Sequence, residues 1–183
     1  MNRKTMKKSR IIIEVEEFSS LQELNQADLE LLQEATLASE TSYSPYSSFQ
    51  VGAAVRLADG QIIRGSNQEN AAYPSGICAE RVALFYAQSK FPEIPVESIA
   101  IFAKSAEFKL DKPITPCGSC RQVLAEVENR YGKKIRIIMG NNNSHIQIVE
   151  GIESLLPLMF MLESLKKPQA ASHKINNKSD NKA

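Results

Sequence analysis

The apolar positions of this chain change period several times, and each change marks an element. Residues 11–15 are a short β-branched run, Ile11, Ile12, Ile13 and Val15 around Glu14, and predict an edge strand. Residues 26–41 switch to helical spacing. Leu29, Leu32, Thr36 and Leu37 recur at three- and four-residue intervals, so this stretch predicts an amphipathic helix, led in by residues 19–24. Ser44-Pro45-Tyr46-Ser47-Ser48 is loop chemistry. Residues 49–57 are an apolar strand, Asp59-Gly60 a hairpin turn, and residues 61–65 its return. Residues 67–77, rich in Asn, Pro and Gly, predict a loop. Residues 78–89 predict a helix whose Val82, Leu84, Phe85 and Tyr86 give it a largely buried character. A strand follows at 98–103, a helix at 117–131, strands at 135–139 and 146–149, and a short helical region at 153–156 that Pro157 stops.

That order predicts an α/β fold: a three-layer α/β/α arrangement with a central mixed sheet of about five strands. With 183 residues, 43% hydrophobic and 23% charged, the chain has the length and composition for one globular core. No apolar run approaches the roughly 18 residues of a membrane span, so no membrane partner is expected. Residues 1–10 lack the apolar stretch of a signal peptide, which makes a reducing cytoplasm the expected setting. Three segments are expected: a basic extension over 1–10, a catalytic domain over 11–165, and a Lys/Asn-rich tail over 166–183. The tail has too few large apolar side chains to offset the entropy of ordering and is expected to be disordered.

The net charge of +1 conceals an uneven distribution. The two end segments hold ten basic residues and one acid, which leaves 12 basic and 20 acidic residues in 11–165. A body with net charge −8 argues against a nucleic-acid partner.

The three cysteines concentrate the chemistry. Cys78 stands in Cys78-Ala79-Glu80, and Cys117 and Cys120 in Pro116-Cys117-Gly118-Ser119-Cys120. An odd count disfavours a disulfide framework, whereas three thiolates with a neighbouring carboxylate match an open Zn²⁺ site. Pro116 suits a helix start, and Cys78 also falls at one, so backbone N–H groups would stabilise both thiolates. Glu80, two residues from a ligand, is placed to move protons; on its own it also reads as a glutamate favoured by the helix dipole. Three thiolates leave the ion with a net charge of −1. Arg81 and Arg121, each directly after a motif, are the candidates to offset it, with Arg81 the preferred donor to the sulfurs. Cys-x-x-Cys alone also fits a redox pair, which leaves Cys78 and Glu80 unexplained. A zinc ribbon would need a fourth ligand. His145, the one histidine of the body, sits in a polar turn, and His173 lies in the tail.

Cys-Ala-Glu followed about 36 residues later by Pro-Cys-x-x-Cys resembles the known signature of the zinc-dependent nucleoside and nucleobase deaminases. Phe49-Gln50-Val51-Gly52-Ala53-Ala54, Asn67-Gln68-Glu69-Asn70 and the run from Tyr73 to Arg81 extend the resemblance to the cytidine deaminases. It covers about residues 25–162 and is closest to their short-chain, homotetrameric, three-cysteine class. The resemblance implies zinc on Cys78, Cys117 and Cys120, with Glu80 as proton shuttle. It implies that Asn67 and Glu69 bind the ribose 3′-hydroxyl, that Phe49 packs on the pyrimidine and that the backbone at Ala79 reads the base edge. Phe160 would reach a neighbouring subunit's site. The implied reaction is hydrolytic deamination of cytidine and deoxycytidine. Two other readings remain at this point. One is a zinc-stabilised binding module without catalysis. The other is a deaminase of a related nucleoside such as blasticidin S, a group that lacks the Asn-x-Glu-Asn run.

Overall fold

The computed structural model describes residues 6–107, 109–142 and 145–161. Among them the elements run β1 (Glu16–Phe18), α1 (Gln26–Ser39), β2 (Phe49–Leu57), β3 (Ile62–Ser66), α2 (Ala79–Lys90), β4 (Val96–Ser105), α3 (Gly118–Tyr131), β5 (Arg136–Asn141) and β6 (Ile146–Glu150). Short 3₁₀ turns lie at Leu21–Glu23, Tyr73–Ser75 and Ile152–Ser154. The strands form one sheet in the order β1-β6-β5-β4-β2-β3. Neighbours are antiparallel except β4 and β5, which α3 connects as a parallel pair.

The sheet is apolar on both faces because each face carries helices. Along β4, Ile99, Ile101 and Ala103 join the core beneath α2 and α3, while Ala100 and Phe102 join the core beneath α1. The expected three layers are therefore present, with six strands where about five were expected. The sixth is β1, and it corrects the strand expected at 11–15, which begins only at Glu16. The register explains the late start. β1 pairs Glu16 with Ile148 and Phe18 with Ile146, so two residues further back Glu14 would oppose Glu150, a like-charge pair at the last residue of β6, just before the positive-φ Gly151. Arg136 instead anchors β1 by bridging Glu16, Asp28 and Glu150.

The helices are where the apolar pattern misled. α1 buries Asp28, Leu31, Leu32, Ala35, Ala38 and Ser39, while Leu29 and Thr36 are half-buried and Leu37 is exposed. α2 buries Ala79, Glu80, Ala83, Leu84 and Ala87, and leaves Phe85 and Tyr86 exposed. Both helices turn alanines to the sheet because the sheet presents glycines to them. A Cβ on Gly52 would lie 2.0 Å from the carbonyl oxygen of Ala35. One on Gly65 would lie 2.6 Å from the Ala83 nitrogen and 2.7 Å from the Ala79 oxygen. A scale that weights large side chains misses so close a backbone approach.

Gly65 matters to the site because the turn it supports begins α2. Gly65→Ala is expected to cost about 2 kcal/mol, since the clash is with backbone that no rotamer change relieves. Urea unfolding of both proteins measures this, and an unchanged midpoint would contradict the packing account. The terminal stretch from residue 162, with the tail expected to be disordered and His173, lies outside the described residues. Among the described residues no helix is long and apolar enough to cross a membrane.

Candidate metal centre and cavity

Two helix starts meet on one side of the sheet. Cys78 is the N-cap of α2 and Cys117 the N-cap of α3, both with extended backbone and neither making a side-chain cap hydrogen bond. The first-turn N–H groups of each helix are thus not taken by a cap side chain, and their partial positive charge lies beside the sulfurs. Cys120, in the first turn of α3, is fully buried. The Sγ atoms of Cys78 and Cys117 are 3.8 Å apart, those of Cys117 and Cys120 3.5 Å, and all three lie within 4.8 Å of one another. Zn–S bonds of about 2.3 Å in tetrahedral geometry put sulfurs ~3.8 Å apart, so the trio fits zinc as it stands. With three protein ligands the fourth position stays open.

The cluster's electrostatics favour a thiolate. The Cys120 thiol turned toward Cys78 draws the Cys78 thiol down to about 5, with Arg81 and Cys117 helping against the opposing effect of burial. Cys120 is pushed up as the proton-holding partner of that pair, with burial and the charge of Glu80 adding to it. Arg81 Nη2 is 3.7 Å from Cys78 Sγ, and its Nε is buried with no hydrogen-bond partner. The guanidinium is therefore committed to the sulfurs by charge more than by hydrogen-bond count.

Arg121 does something else. It donates to the carbonyl oxygens of Pro116 and Leu155 at 2.7 Å each, and to Thr115 Oγ1 at 2.9 Å. It clamps the loop leading into Cys117 to the chain after Ile152–Ser154. Of the two arginine candidates, only Arg81 reaches a ligand sulfur. His145 sets Nδ1 3.1 Å from the Asp111 carbonyl oxygen, and the described metal cluster consists of the three cysteines alone.

A cavity of about 390 Å³ opens over the sulfurs. Its walls bring together Phe49, Asn67, Glu69, Cys78, Ala79, Glu80, Arg81 and Cys117, drawn from β2, the loop after β3 and the starts of α2 and α3. Glu80 is 4% exposed. Burial raises its carboxyl above the usual carboxylate range, and the Cys78 charge adds to the rise. Asn67 is held by three contacts: its Oδ1 accepts from Ser42 Oγ at 2.6 Å and from the Val51 N–H at 2.8 Å, and its Nδ2 donates to the Phe49 carbonyl at 2.9 Å. Glu69 accepts from the Ser47 hydroxyl and from the N–H groups of Tyr46 and Ser47. The Ser47 hydroxyl and the Tyr46 N–H hold its carboxylate below the usual range.

Phe160 is the candidate the fold leaves apart. The residue is 62% exposed, it does not line the cavity, and its carbonyl accepts from Gln122 Nε2. The sequence reading missed Ser42, Ser47, Ile114, Thr115 and the Arg121 clamp. Serines in loops are too common to single out, and nothing local ties Arg121 to Leu155.

Residues 25–133 match the family described as the cytidine and deoxycytidylate deaminase zinc-binding region. A cytidine deaminase of Halalkalibacterium halodurans is 42% identical over 135 residues, 74% of this chain and 95% of that protein. The 1.6 Å crystal structure of cytidine deaminase from Burkholderia pseudomallei superimposes with a TM-score of 0.63 at 35% identity, covering 72% of this chain and 97% of that one. A blasticidin-S deaminase of Bacillus cereus is more distant, 27% identical over 140 residues, 75% of this chain and 94% of that protein. The chain belongs to the cytidine and deoxycytidylate deaminase family, and zinc is its metal.

Proposed function

We propose that the chain hydrolyses cytidine and deoxycytidine to uridine and deoxyuridine with release of ammonia. The observation that carries this reading is the one cavity whose walls bring Glu80, Cys78 and Cys117 of the cysteine cluster, Phe49 and the Asn67/Glu69 pair together. Zinc held by Cys78, Cys117 and Cys120 supplies the Lewis acidity that makes water a nucleophile near neutral pH. Glu80 takes a proton from the water that adds to carbon 4 of the cytosine and gives it to ring nitrogen 3. It then carries the second proton to the amino group, which leaves as ammonia when the carbon–nitrogen bond breaks. A buried carboxyl with a raised proton affinity suits both receiving and returning a proton. Phe49 packs the pyrimidine, the backbone at Ala79 reads its edge, and Arg81 tempers the thiolate charge.

Hydrogen-bond capacity supports a nucleoside substrate. The Asn67 amide has both its oxygen contacts and one N–H taken, which leaves one N–H to donate. The Glu69 carboxylate has three of its roughly four acceptor sites taken, which leaves one to accept. One donor beside one acceptor is the complement of a single hydroxyl, such as the ribose 3′-hydroxyl common to cytidine and deoxycytidine. A phosphate offers only acceptors and would face an ionised Glu69, and free cytosine would leave the pair unused. The same pair sets this reading apart from blasticidin S. Replacing cytidine by 3′-deoxycytidine is expected to lower kcat/KM about tenfold to a hundredfold, the worth of one hydrogen bond to a charged group. Steady-state kinetics on the two nucleosides checks this, and equal kcat/KM values would remove the ribose role of Asn67 and Glu69.

The homotetramer that the resemblance implies would cover Leu158 and Phe160, which stand 88% and 62% exposed, and would give Phe160 a neighbouring site to reach. Three free cysteines accord with a reducing cytoplasm.

A further inference from the structure

Residues 7–17 precede the family-matched region 25–133, and none of them lines the cavity. They nevertheless carry an ordered charge pattern: Lys7-Lys8-Ser9-Arg10-Ile11-Ile12-Ile13-Glu14-Val15-Glu16-Glu17. The pattern inverts about Ile12. If a second copy of the segment runs antiparallel with Ile12 opposite Ile12, Arg10 meets Glu14, Lys8 meets Glu16 and Lys7 meets Glu17. Ile11 meets Ile13 and Ser9 meets Val15. Every basic residue faces an acid, and every isoleucine faces an isoleucine.

The structure leaves the outer edge of this segment open, with its C-terminal end tied to the body through the Glu16–Arg136 pair and the Gln147–Glu17 hydrogen bond. β1 is the edge of the sheet, bonded to β6 on one side only. Residues 6–15 carry no element of their own, and Ile11, Ile12, Ile13 and Val15 are 56%, 87%, 44% and 44% exposed. Alternation along a strand would put Ile11, Ile13 and Val15 on one face. Two copies would then join six β-branched side chains into one cluster closed at each end by a Lys7–Glu17 pair, while the Arg10–Glu14 and Lys8–Glu16 pairs flank Ile12 on the other face. An open edge with an apolar run is a standing template for strand pairing. Charges that served only to keep the run soluble would not need opposite signs on its two sides, matched position by position. A two-fold antiparallel contact is also self-closing, since each copy offers the same strand to the other.

We propose that residues 7–17 are a self-association strand: two copies of this chain pair antiparallel about Ile12 and continue one sheet into the other. Arg136, which holds Glu16 to the sheet beside Asp28 and Glu150, fixes the base of the strand from which the free segment extends. The contact lies outside the region that matches the family, so it would be an addition particular to chains that carry this segment.

Thiol cross-linking of the full zinc-loaded chain tests the register. Under oxidised glutathione, Ile12→Cys should give an interchain disulfide, because the two introduced thiols face each other. Ser9→Cys should not, because its two thiols would sit six positions apart, ~20 Å along the strands. The unsubstituted chain controls for the native cysteines, and circular dichroism confirms that each variant is folded. In the Ile12→Cys background, Arg10→Glu turns two opposite-charge pairs into like pairs and should lower the cross-linking yield about tenfold. Adding Glu14→Arg should restore it. Three results would each overturn the proposal: cross-linking at position 12 no greater than in the unsubstituted chain, equal cross-linking at position 9, or no effect of Arg10→Glu.

Discussion

Glu80→Gln is expected to lower kcat for cytidine by about 10²- to 10⁴-fold while leaving one zinc per chain in place. The substitution keeps the side chain's size, so the wall of the cavity beside Ala79 and Arg81 should persist. What it removes is a group that can both take and return a proton. The environment of Glu80 makes the effect specific. The carboxyl is 4% exposed, so bulk water cannot easily replace it as a shuttle, and burial together with the Cys78 charge raises its proton affinity. Because Glu80 lies outside the three-sulfur cluster, zinc content should be unaffected. Measuring kcat and bound zinc on one preparation separates the two properties. Near-normal turnover in Glu80→Gln would refute the proton-transfer role, and loss of zinc together with activity would point to a structural one.

The second large effect is expected at the buried ligand. Cys120→Ala should abolish stoichiometric zinc binding and reduce cytidine turnover to background. Cys120 is fully buried, its sulfur lies 3.5 Å from that of Cys117, and the two remaining thiolates fall short of the three protein ligands an open zinc site needs. The folded core should survive, because it is built from the sheet and its helices and not around the metal. The variant should therefore keep its circular dichroism yet unfold at a lower temperature than the zinc-loaded parent, since metal that binds the native state stabilises it. Zinc quantification by atomic absorption, alongside a thermal melt, reads both. Full zinc occupancy in Cys120→Ala would show that this sulfur is not a ligand.

The sequence carried the chemistry further than the packing. Cys78, Glu80, Cys117 and Cys120 were legible because their spacing is short and their chemistry uncommon. β2 was legible to the residue because apolar character and a hairpin signal agree over Phe49–Leu57. The inner faces of α1 and α2 were not fully legible, because Gly52 and Gly65 let helix backbone approach the sheet and place alanines at those crossings. β1 was displaced because its pairing depends on charges 120 and more residues away, at Arg136 and Glu150. Ser42 and Ser47 acquire meaning only once the fold sets them against Asn67 and Glu69, and Arg121 only once Leu155 comes within its reach. Long-range contacts of this kind leave no periodicity to read.

The most direct test of the account is a coupled measurement on the full chain: bound zinc per chain, and conversion of cytidine followed by absorbance with ammonia counted in parallel. The predicted result is one zinc per chain, uridine and ammonia formed one for one, and activity that falls when a chelator strips the metal and returns when zinc is restored. One zinc per chain with no turnover of cytidine or deoxycytidine would contradict it and leave a zinc-stabilised binding protein in its place.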